Sequence, residues 1–218
     1  MTDKYYFNVK RRRPEENYKD VREYYNKEKI SSYAASKNMR KIQEKITYRA
    51  LDLLDLRKNN ALILDAGCGP GFTAMYLNTL GFKVISLDII SDFLNCYSIQ
   101  ELNPIAADMC LPPFKADVFD AIISISVLQW IYKDIHDKVS RNKFISLTTS
   151  FERILKPESK ILIQFYPKNE TIMKDIGRIF TEHTNLKGNF IIDNPNNAKK
   201  RKIFLYLKKK NVIKNDRY

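Results

Sequence analysis

Five short apolar runs recur along the chain, and amphipathic segments separate them. Each run is nearly continuous instead of alternating, which is typical of strands buried on both faces of a parallel sheet. The runs predict strands at residues 61–64, 83–87, 104–107, 121–126 and 160–165, of which the third is the weakest. Apolar positions spaced three and four residues apart predict helices at residues 38–56, 72–80, 92–101, 142–155 and 171–183.

Two more predicted strands, at residues 189–192 and 202–207, are close enough to pair as a hairpin. Together the elements predict an α/β fold, a doubly wound, Rossmann-like sheet of seven strands with one antiparallel strand. Residues 1–26 show no clean period, so we expect this stretch to be disordered, or ordered only on binding. The predicted organisation is a basic arm at residues 1–37, one domain at residues 38–210 and a short tail at residues 211–218.

The net charge of +13 in 218 residues is unevenly distributed. Residues 61–130 carry seven acidic and two basic side chains, whereas both flanking stretches are strongly basic. One interpretation is an ordinary lysine-rich solvated surface. The other is a polyanion-binding surface around a site that prefers a cationic ligand. Charge alone does not choose between them.

Other features exclude several classes of protein. No apolar run approaches the ~20 residues of a membrane helix, and the charged start of the chain lacks the apolar core of a secretion signal. Three cysteines, an odd number, favour reduced thiols in an intracellular compartment. Neither the histidines nor the cysteines have metal-ligand spacing, so we expect no metal site.

A glycine-rich turn joins the first predicted strand to a helix and reads DAGCGPG at residues 65–71. Glycines there let the backbone bend sharply and approach a ligand, with helix N–H groups facing it. The next two strands also end in an acid, Asp88 and Asp108. Asp88 is placed to accept both hydroxyls of a ribose and Asp108 an adenine amino group. An acidic neighbourhood without a second phosphate site favours S-adenosylmethionine over a dinucleotide.

Three segments carry a resemblance to a known family. Residues 63–71 (ILDAGCGPG), 119–130 (FDAIISISVLQW) and 164–169 (QFYPKN) resemble the eukaryotic 18S ribosomal RNA (guanine-N7) methyltransferases, and residues 42–51 (IQEKITYRAL) are similar to the first helix of that family. The glycine turn is shared by all class I methyltransferases. The other two segments are far more particular to this family.

The resemblance implies a class I methyltransferase fold and methyl transfer from S-adenosylmethionine to a guanine N7 of small-subunit rRNA during ribosome biogenesis. It also implies a small zinc-binding activator subunit that forms a heterodimer along an edge of the sheet, and action in the nucleus (nucleolus or nucleoplasm) as well as the cytoplasm. The expected cofactor-binding residues are Asp65, Ala66, Gly67, Cys68, Gly69, Gly71, Asp88, Ile89, Asp108, Met109 and Ser124.

Because guanine N7 has a lone pair and no proton, the reaction needs no general base, and we expect catalysis by positioning alone. The predicted positioning residues are Gln129, Trp130, Tyr166 and Asn169, and the predicted RNA contacts are Tyr166, Pro167, Lys168 and Asn169. Trp130 could instead be an aromatic residue of the core, and Lys168 could be an ordinary solvated surface residue.

Three other functions remain compatible with the sequence. The chain could be a class I methyltransferase for a protein or small molecule, or a ribosome-assembly factor that binds RNA and whose activity is dispensable. A nicotinamide enzyme is the third alternative, because dinucleotide enzymes use a similar glycine turn.

Overall fold

The computed structural model describes residues 13–56, 60–96, 102–134 and 136–211. Within these residues seven strands form one sheet in the order β3-β2-β1-β4-β5-β7-β6. The strands are β1 Leu62–Ala66, β2 Lys83–Asp88, β3 Pro104–Ala106, β4 Phe119–Ile125, β5 Leu155–Phe165, β6 Leu186–Asp193 and β7 Lys202–Lys209. The predicted α/β sheet with its C-terminal hairpin is thereby confirmed.

Helices cover both faces of this sheet. They are α1 Pro14–Asn17, α2 Val21–Tyr24, α3 Lys27–Ala35, α4 Lys37–Leu54, α5 Phe72–Thr79, α6 Ser91–Leu94, α7 Leu128–Ile131, α8 Lys138–Ile154 and α9 Glu170–Glu182. One face packs fully buried aromatic rings, including Phe144, Phe151 and Phe180. The other packs Ile46, Ala50 and Leu54 of α4 against Leu77 of α5. Burial on both faces explains the continuous apolar runs. No helix of the described residues has the length and apolar character needed to span a membrane.

The strand directions bring several loops to one end of the sheet. β1 to β5 pair in parallel, and β7 runs in the opposite direction between β5 and β6 and pairs antiparallel with both. We call the end where β1 to β5 finish the carboxyl end, and the opposite end the amino end. Phe165 pairs with Ile203, and Asp193 pairs with Lys202. The turn between β6 and β7 therefore also lies at the carboxyl end.

Some boundaries differ from the prediction for identifiable reasons. α8 begins at Lys138, before the predicted residue 142, because the Asp137 carboxylate accepts the N–H groups of Val139 and Ser140 as an N-cap. β5 begins at Leu155, which pairs with Phe119 ahead of a register shift. The predicted helix at residues 92–101 begins as α6, and residues 97–101 lie outside the described residues.

The prediction of a disordered N-terminal stretch was wrong for residues 13–26. These residues and those up to 35 form α1 to α3, and side chains cap two of the three: Asp20 accepts from the N–H of Arg22, and Asn26 from that of Lys29. Ile30 of α3 is buried against Ile90 and Phe93. Helices this short show no period, and tertiary packing holds them. We call residues 13–35 the N-terminal strap; residues 1–12 lie outside the described residues.

Candidate active site

A cleft of about 870 Å³ opens at the carboxyl end of the sheet. It lies between the ends of β1, β2, β4 and β5 on one side and the N-terminal strap on the other. Of the residues predicted from the sequence, those that line it are Gly67, Cys68, Gly69, Asp88, Ile89, Asp108, Met109, Gln129, Trp130 and Tyr166. The convergence follows from the parallel strands, whose carboxyl ends meet at one end of the sheet.

The glycine turn after β1 is held in a conformation that only glycine adopts without strain. Gly67 has φ +79°, and its N–H donates to the carbonyl of Leu87 at 2.7 Å. A Cβ added to Gly67 would stand 2.4 Å from a methyl group of Val127. The turn therefore needs glycine both for its backbone angle and for the space that Val127 already fills.

Asp88 is anchored by the same turn. One carboxylate oxygen accepts the N–H of Gly69 at 2.8 Å, and the other accepts the N–H of Ile90 at 2.9 Å. The side chain is only 8% exposed, and burial raises its pKa against the lowering effect of these backbone donors. Each carboxylate oxygen can accept more than one hydrogen bond. Asp88 is therefore a fixed carboxylate whose oxygens can each accept a further hydrogen bond in the cleft.

Asp108 differs because a lysine faces it. Its carboxylate accepts the N–H of Cys110 at 2.9 Å and lies 3.2 Å from the ammonium of Lys143. Burial raises the pKa of Asp108, but the Cys110 N–H and the Lys143 charge outweigh burial, and the net shift is downward. Asp108 is thus ionised and partly neutralised. Sequence reasoning missed Lys143, which comes from α8.

Asp65 lies beneath the turn and does not line the cleft. It is 1% exposed, and its Oδ2 accepts no hydrogen bond from the residues that the structure describes. Burial, followed by the nearby charge of Asp88, raises its pKa to about 8. Asp65 is therefore a buried carboxyl group that the fold leaves with one unpartnered oxygen under the glycine turn.

Ser124 is not where the cofactor prediction requires it. Its side chain is fully buried inside β4, and neither it, Ala66 nor Gly71 is among the residues that line the cleft. Ser126, two residues later, lines the cleft instead, with φ +63° and its hydroxyl 3.0 Å from the side-chain carbonyl of Gln164. The strand continues through Ile125, so only the residue beyond it turns out of the sheet.

Gln129 follows this strand end and is oriented by it. Its Nε2 donates to the carbonyl of Ser126 at 2.8 Å, while its buried Oε1 has no hydrogen-bond donor among the described residues. A buried acceptor without a donor is costly unless a ligand supplies one. Gln129 is therefore poised to accept a hydrogen bond inside the cleft.

The strap contributes aromatic rings that the sequence analysis did not assign to the site. The ring of Tyr24 lies 5.5 Å from that of Trp130, and the ring of Tyr25 lies 6.0 Å from it. The Arg13 guanidinium donates to the carbonyl of Tyr166 at 2.6 Å, and the Lys133 ammonium donates to the carbonyl of Tyr18 at 2.7 Å. These contacts fasten the strap across the strand ends. Trp130 lines the cleft and packs on the strap at the same time.

The residues after β5 divide between two roles. Tyr166 lines the cleft, whereas Pro167, Lys168 and Asn169 do not. Asn169 is the N-cap of α9, because its side-chain oxygen accepts the N–H of Ile172 at 2.8 Å. Lys168 is exposed. The positioning role of Asn169 and the RNA contacts after β5 remain predictions.

Comparisons with known proteins agree with this fold. Residues 64–163 match the model of a family described as a methyltransferase domain. The solved structure of the N-methyltransferase NodS from Bradyrhizobium japonicum, in complex with S-adenosyl-L-homocysteine, superposes with a TM-score of 0.61 at 15% identity, covering 84% of this chain and 97% of that one. At this identity the likeness shows the fold alone. Fold and cleft together define an S-adenosylmethionine-dependent class I methyltransferase.

Two curated relatives narrow this class. The chain is 31% identical to the 18S rRNA (guanine-N(7))-methyltransferase of Bos taurus, over 84% of this chain and 67% of that protein. It is 33% identical to the 18S rRNA (guanine(1575)-N(7))-methyltransferase of Saccharomyces cerevisiae, over 79% of this chain and 64% of that protein. The chain belongs to the family of 18S rRNA (guanine-N7) methyltransferases. It spans about two thirds of the length of these relatives.

Proposed function

We propose that this protein transfers a methyl group from S-adenosylmethionine to N7 of a guanine in 18S rRNA, during biogenesis of the small ribosomal subunit. The observation that carries the proposal is a cofactor cleft that continues into a second set of binding groups, Gln129, Trp130 and Tyr166. The activity for which the two relatives are named supplies the acceptor.

The cleft suits a reaction that needs positioning and no proton transfer. Bound S-adenosylmethionine supplies an electrophilic methyl group on a sulfonium. Asp88 would hold the ribose hydroxyls, and Asp108 the adenine amino group, with Gly67, Ile89 and Met109 enclosing the rest. The acceptor N7 attacks with a lone pair, so no side chain has to remove a proton. The rate acceleration would come from holding the N7 lone pair in line with the methyl group of the cofactor.

The acceptor base would enter beside Gln129. The unpartnered Oε1 of Gln129 can accept a hydrogen bond from the N1–H or the amino group of guanine. Trp130 and Tyr166 offer ring faces for stacking on a base drawn out of its helix. Because Tyr24 of the strap already packs on Trp130, base entry and the position of the strap are coupled.

A small zinc-binding activator subunit would pair along β3. This strand has three residues and forms one edge of the sheet, and its outer side has no partner strand among the described residues. An open strand edge next to apolar surface favours strand addition by a partner. Leu111, which follows β3 in the chain, is 74% exposed. Co-expression with such a subunit should raise soluble yield and activity; a fully active monomer would contradict the heterodimer.

Action on pre-ribosomal RNA would place the pair in the nucleus.

The decisive experiment is mapping of 7-methylguanine in 18S rRNA from cells with and without the protein, by chemical cleavage at the modified base. We expect one cleavage site to disappear when the protein is absent and to return with the wild-type chain. Labelling of a protein or metabolite by radioactive cofactor, with none in small-subunit rRNA, would refute the proposal. Normal subunit maturation with a variant that cannot bind the cofactor would show that methylation is dispensable for assembly.

A further inference from the structure

The turn between β6 and β7 carries a run of basic side chains at the carboxyl end of the sheet. It comprises residues 194–202, which we call the basic turn, and includes Lys199, Lys200, Arg201 and Lys202. The pairing of Asp193 with Lys202 and of Ile203 with Phe165 fixes its base beside the end of β5. Its nearest strand end is therefore the one that leads into Tyr166.

One contact links the basic turn to the active-site cleft directly. The ammonium of Lys202 lies 5.6 Å from the ring centre of Tyr166, which lines the cleft. A cation over one face of this ring attracts anionic groups to the rim where the acceptor base would enter. Lys168, which follows β5, is exposed on the same rim.

The lysines of the basic turn carry no carboxylate partners. Lys199, Lys200 and Lys202 form no ion pair within the described residues. The acid at the base of the turn, Asp193, is bound by the guanidinium of Arg49 at 3.0 Å. The positive charge of these three lysines is consequently available to an external anion.

The turn is also well ordered by its own hydrogen bonds. The side-chain oxygen of Asn197 accepts the N–H groups of Lys199 and Lys200, both at 3.2 Å. The Arg201 guanidinium donates to the carbonyl of Pro195 at 2.6 Å. A backbone fixed in this way presents its lysines at a smaller entropic cost than a flexible tail would.

We propose that the basic turn binds the phosphates of the RNA strand next to the acceptor guanine. This inference rests on the proposed function, because it assigns the RNA-binding surface of the same site. Lysines that contact phosphates fix the register of a strand without reading its sequence. The turn would hold the backbone while the base reaches the cleft beside Tyr166.

The test compares two triple variants of the full-length chain that lose the same charge. One replaces Lys199, Lys200 and Lys202 by Ala. The control replaces Lys187, Lys208 and Lys210, which lie at the amino end of the same hairpin. Affinity for a labelled single-stranded RNA of mixed sequence is measured by fluorescence anisotropy over a salt series, and cofactor affinity by calorimetry.

The basic-turn variant should bind RNA about 10-fold to 100-fold more weakly at physiological salt, with a salt slope smaller by about 2. Its cofactor affinity should equal that of the wild type, which shows that the fold is intact. The control variant should keep most of the RNA affinity. Equal losses in the two variants would show that only net charge matters, and unchanged binding in the basic-turn variant would also overturn the proposal.

Methyl transfer separates this inference from the proposed function. On an rRNA substrate, the basic-turn variant should raise KM by a similar factor and leave kcat unchanged when RNA saturates. Suppose that the wild type methylates guanine N7 and that the basic-turn variant has the same KM. This result would refute the role of the basic turn in RNA binding and leave the proposed function intact. A wild type that binds RNA through the turn but transfers no methyl group to N7 would refute the function alone. A wild type that does not bind RNA would refute the inference.

Discussion

The two ends of the sheet differ in how some of their charged groups are satisfied, although each end also contains ion pairs. At the amino end, Lys156 pairs with Asp120 at 2.7 Å, and Lys209 pairs with Asp117 at 2.7 Å. At the carboxyl end, the Asp65 carboxyl group is buried with an unpartnered oxygen, and the lysines of the basic turn have no carboxylate partners among the described residues. Groups paired within the chain stabilise the fold, whereas exposed groups without partners are available to ligands.

Of the comparisons between the two ends, removal of one carboxylate from each should give the largest difference in cofactor affinity. Asp88→Ala at the carboxyl end should lower the affinity for S-adenosylmethionine by at least about 100-fold, because it removes the carboxylate that we propose accepts two charge-assisted hydrogen bonds from the ribose. Isothermal titration calorimetry measures this loss directly.

Asp120→Ala is the matched control at the amino end. Like Asp88, Asp120 accepts a backbone N–H, that of Leu62 at 2.8 Å. Its side chain is half-buried. We expect this variant to lose about 1–2 kcal/mol of stability and to keep the cofactor affinity of the wild type. Similar losses of affinity in both variants would mean that general destabilisation, and not loss of a contact to the cofactor, weakens binding in Asp88→Ala.

The sequence predicted the sheet well because its strands are buried on both faces. Runs such as residues 121–126 are continuous and apolar, and the glycine turn marks where the first strand ends. The N-terminal strap escaped prediction because α1 and α2 have four residues each, too few to show a period. Their order depends on caps and on contacts such as Tyr24 with Trp130, which join distant parts of the chain.

From the sequence, only those residues of the candidate site that lie at the ends of predicted strands could be identified. Asp88 and Asp108 close successive parallel strands, so their convergence could be inferred. Lys143 comes from α8 and meets Asp108 only in the folded chain. Ser124 lies inside β4, which ends at Ile125, and Ser126, the first residue beyond the strand, lines the cleft instead.

Two glycines with similar backbone angles test the crowding at the two ends. Gly67 has φ +79° and Gly81 has φ +86°, but an added Cβ meets Val127 at 2.4 Å in the first case and no atom within 4 Å in the second. Gly67→Ala should therefore cost about 2–4 kcal/mol of unfolding free energy, against about 1 kcal/mol for Gly81→Ala. Urea unfolding measures both values. Equal costs would show that Val127 moves aside freely.

The buried carboxyl group of Asp65, at the carboxyl end, should make the free energy of unfolding depend on pH. The pKa of Asp65 is raised to about 8 in the folded protein, mainly by burial, from an ordinary value of 3.8. Between about pH 4 and pH 8 the folded state keeps a proton that the unfolded state releases, so stability falls as the pH rises. Asp65→Asn should flatten this fall in thermal unfolding of the ligand-free protein. An unaltered slope in Asp65→Asn would contradict the burial of a protonated carboxyl group.

The smallest effect should come from an exposed pair at the amino end. Lys208 on β7 contacts Glu158, and their side chains are 32% and 46% exposed. Water and salt screen a pair at this exposure, and ordering two long side chains offsets much of the attraction. Lys208→Ala should therefore leave the thermal midpoint, the cofactor affinity and the RNA affinity at their wild-type values. A midpoint as low as that of Asp120→Ala would show that Lys208 supports the fold, and a loss of RNA affinity would show that RNA reaches the amino end. Either result would remove the distinction between an end that stabilises the fold and an end that binds ligands.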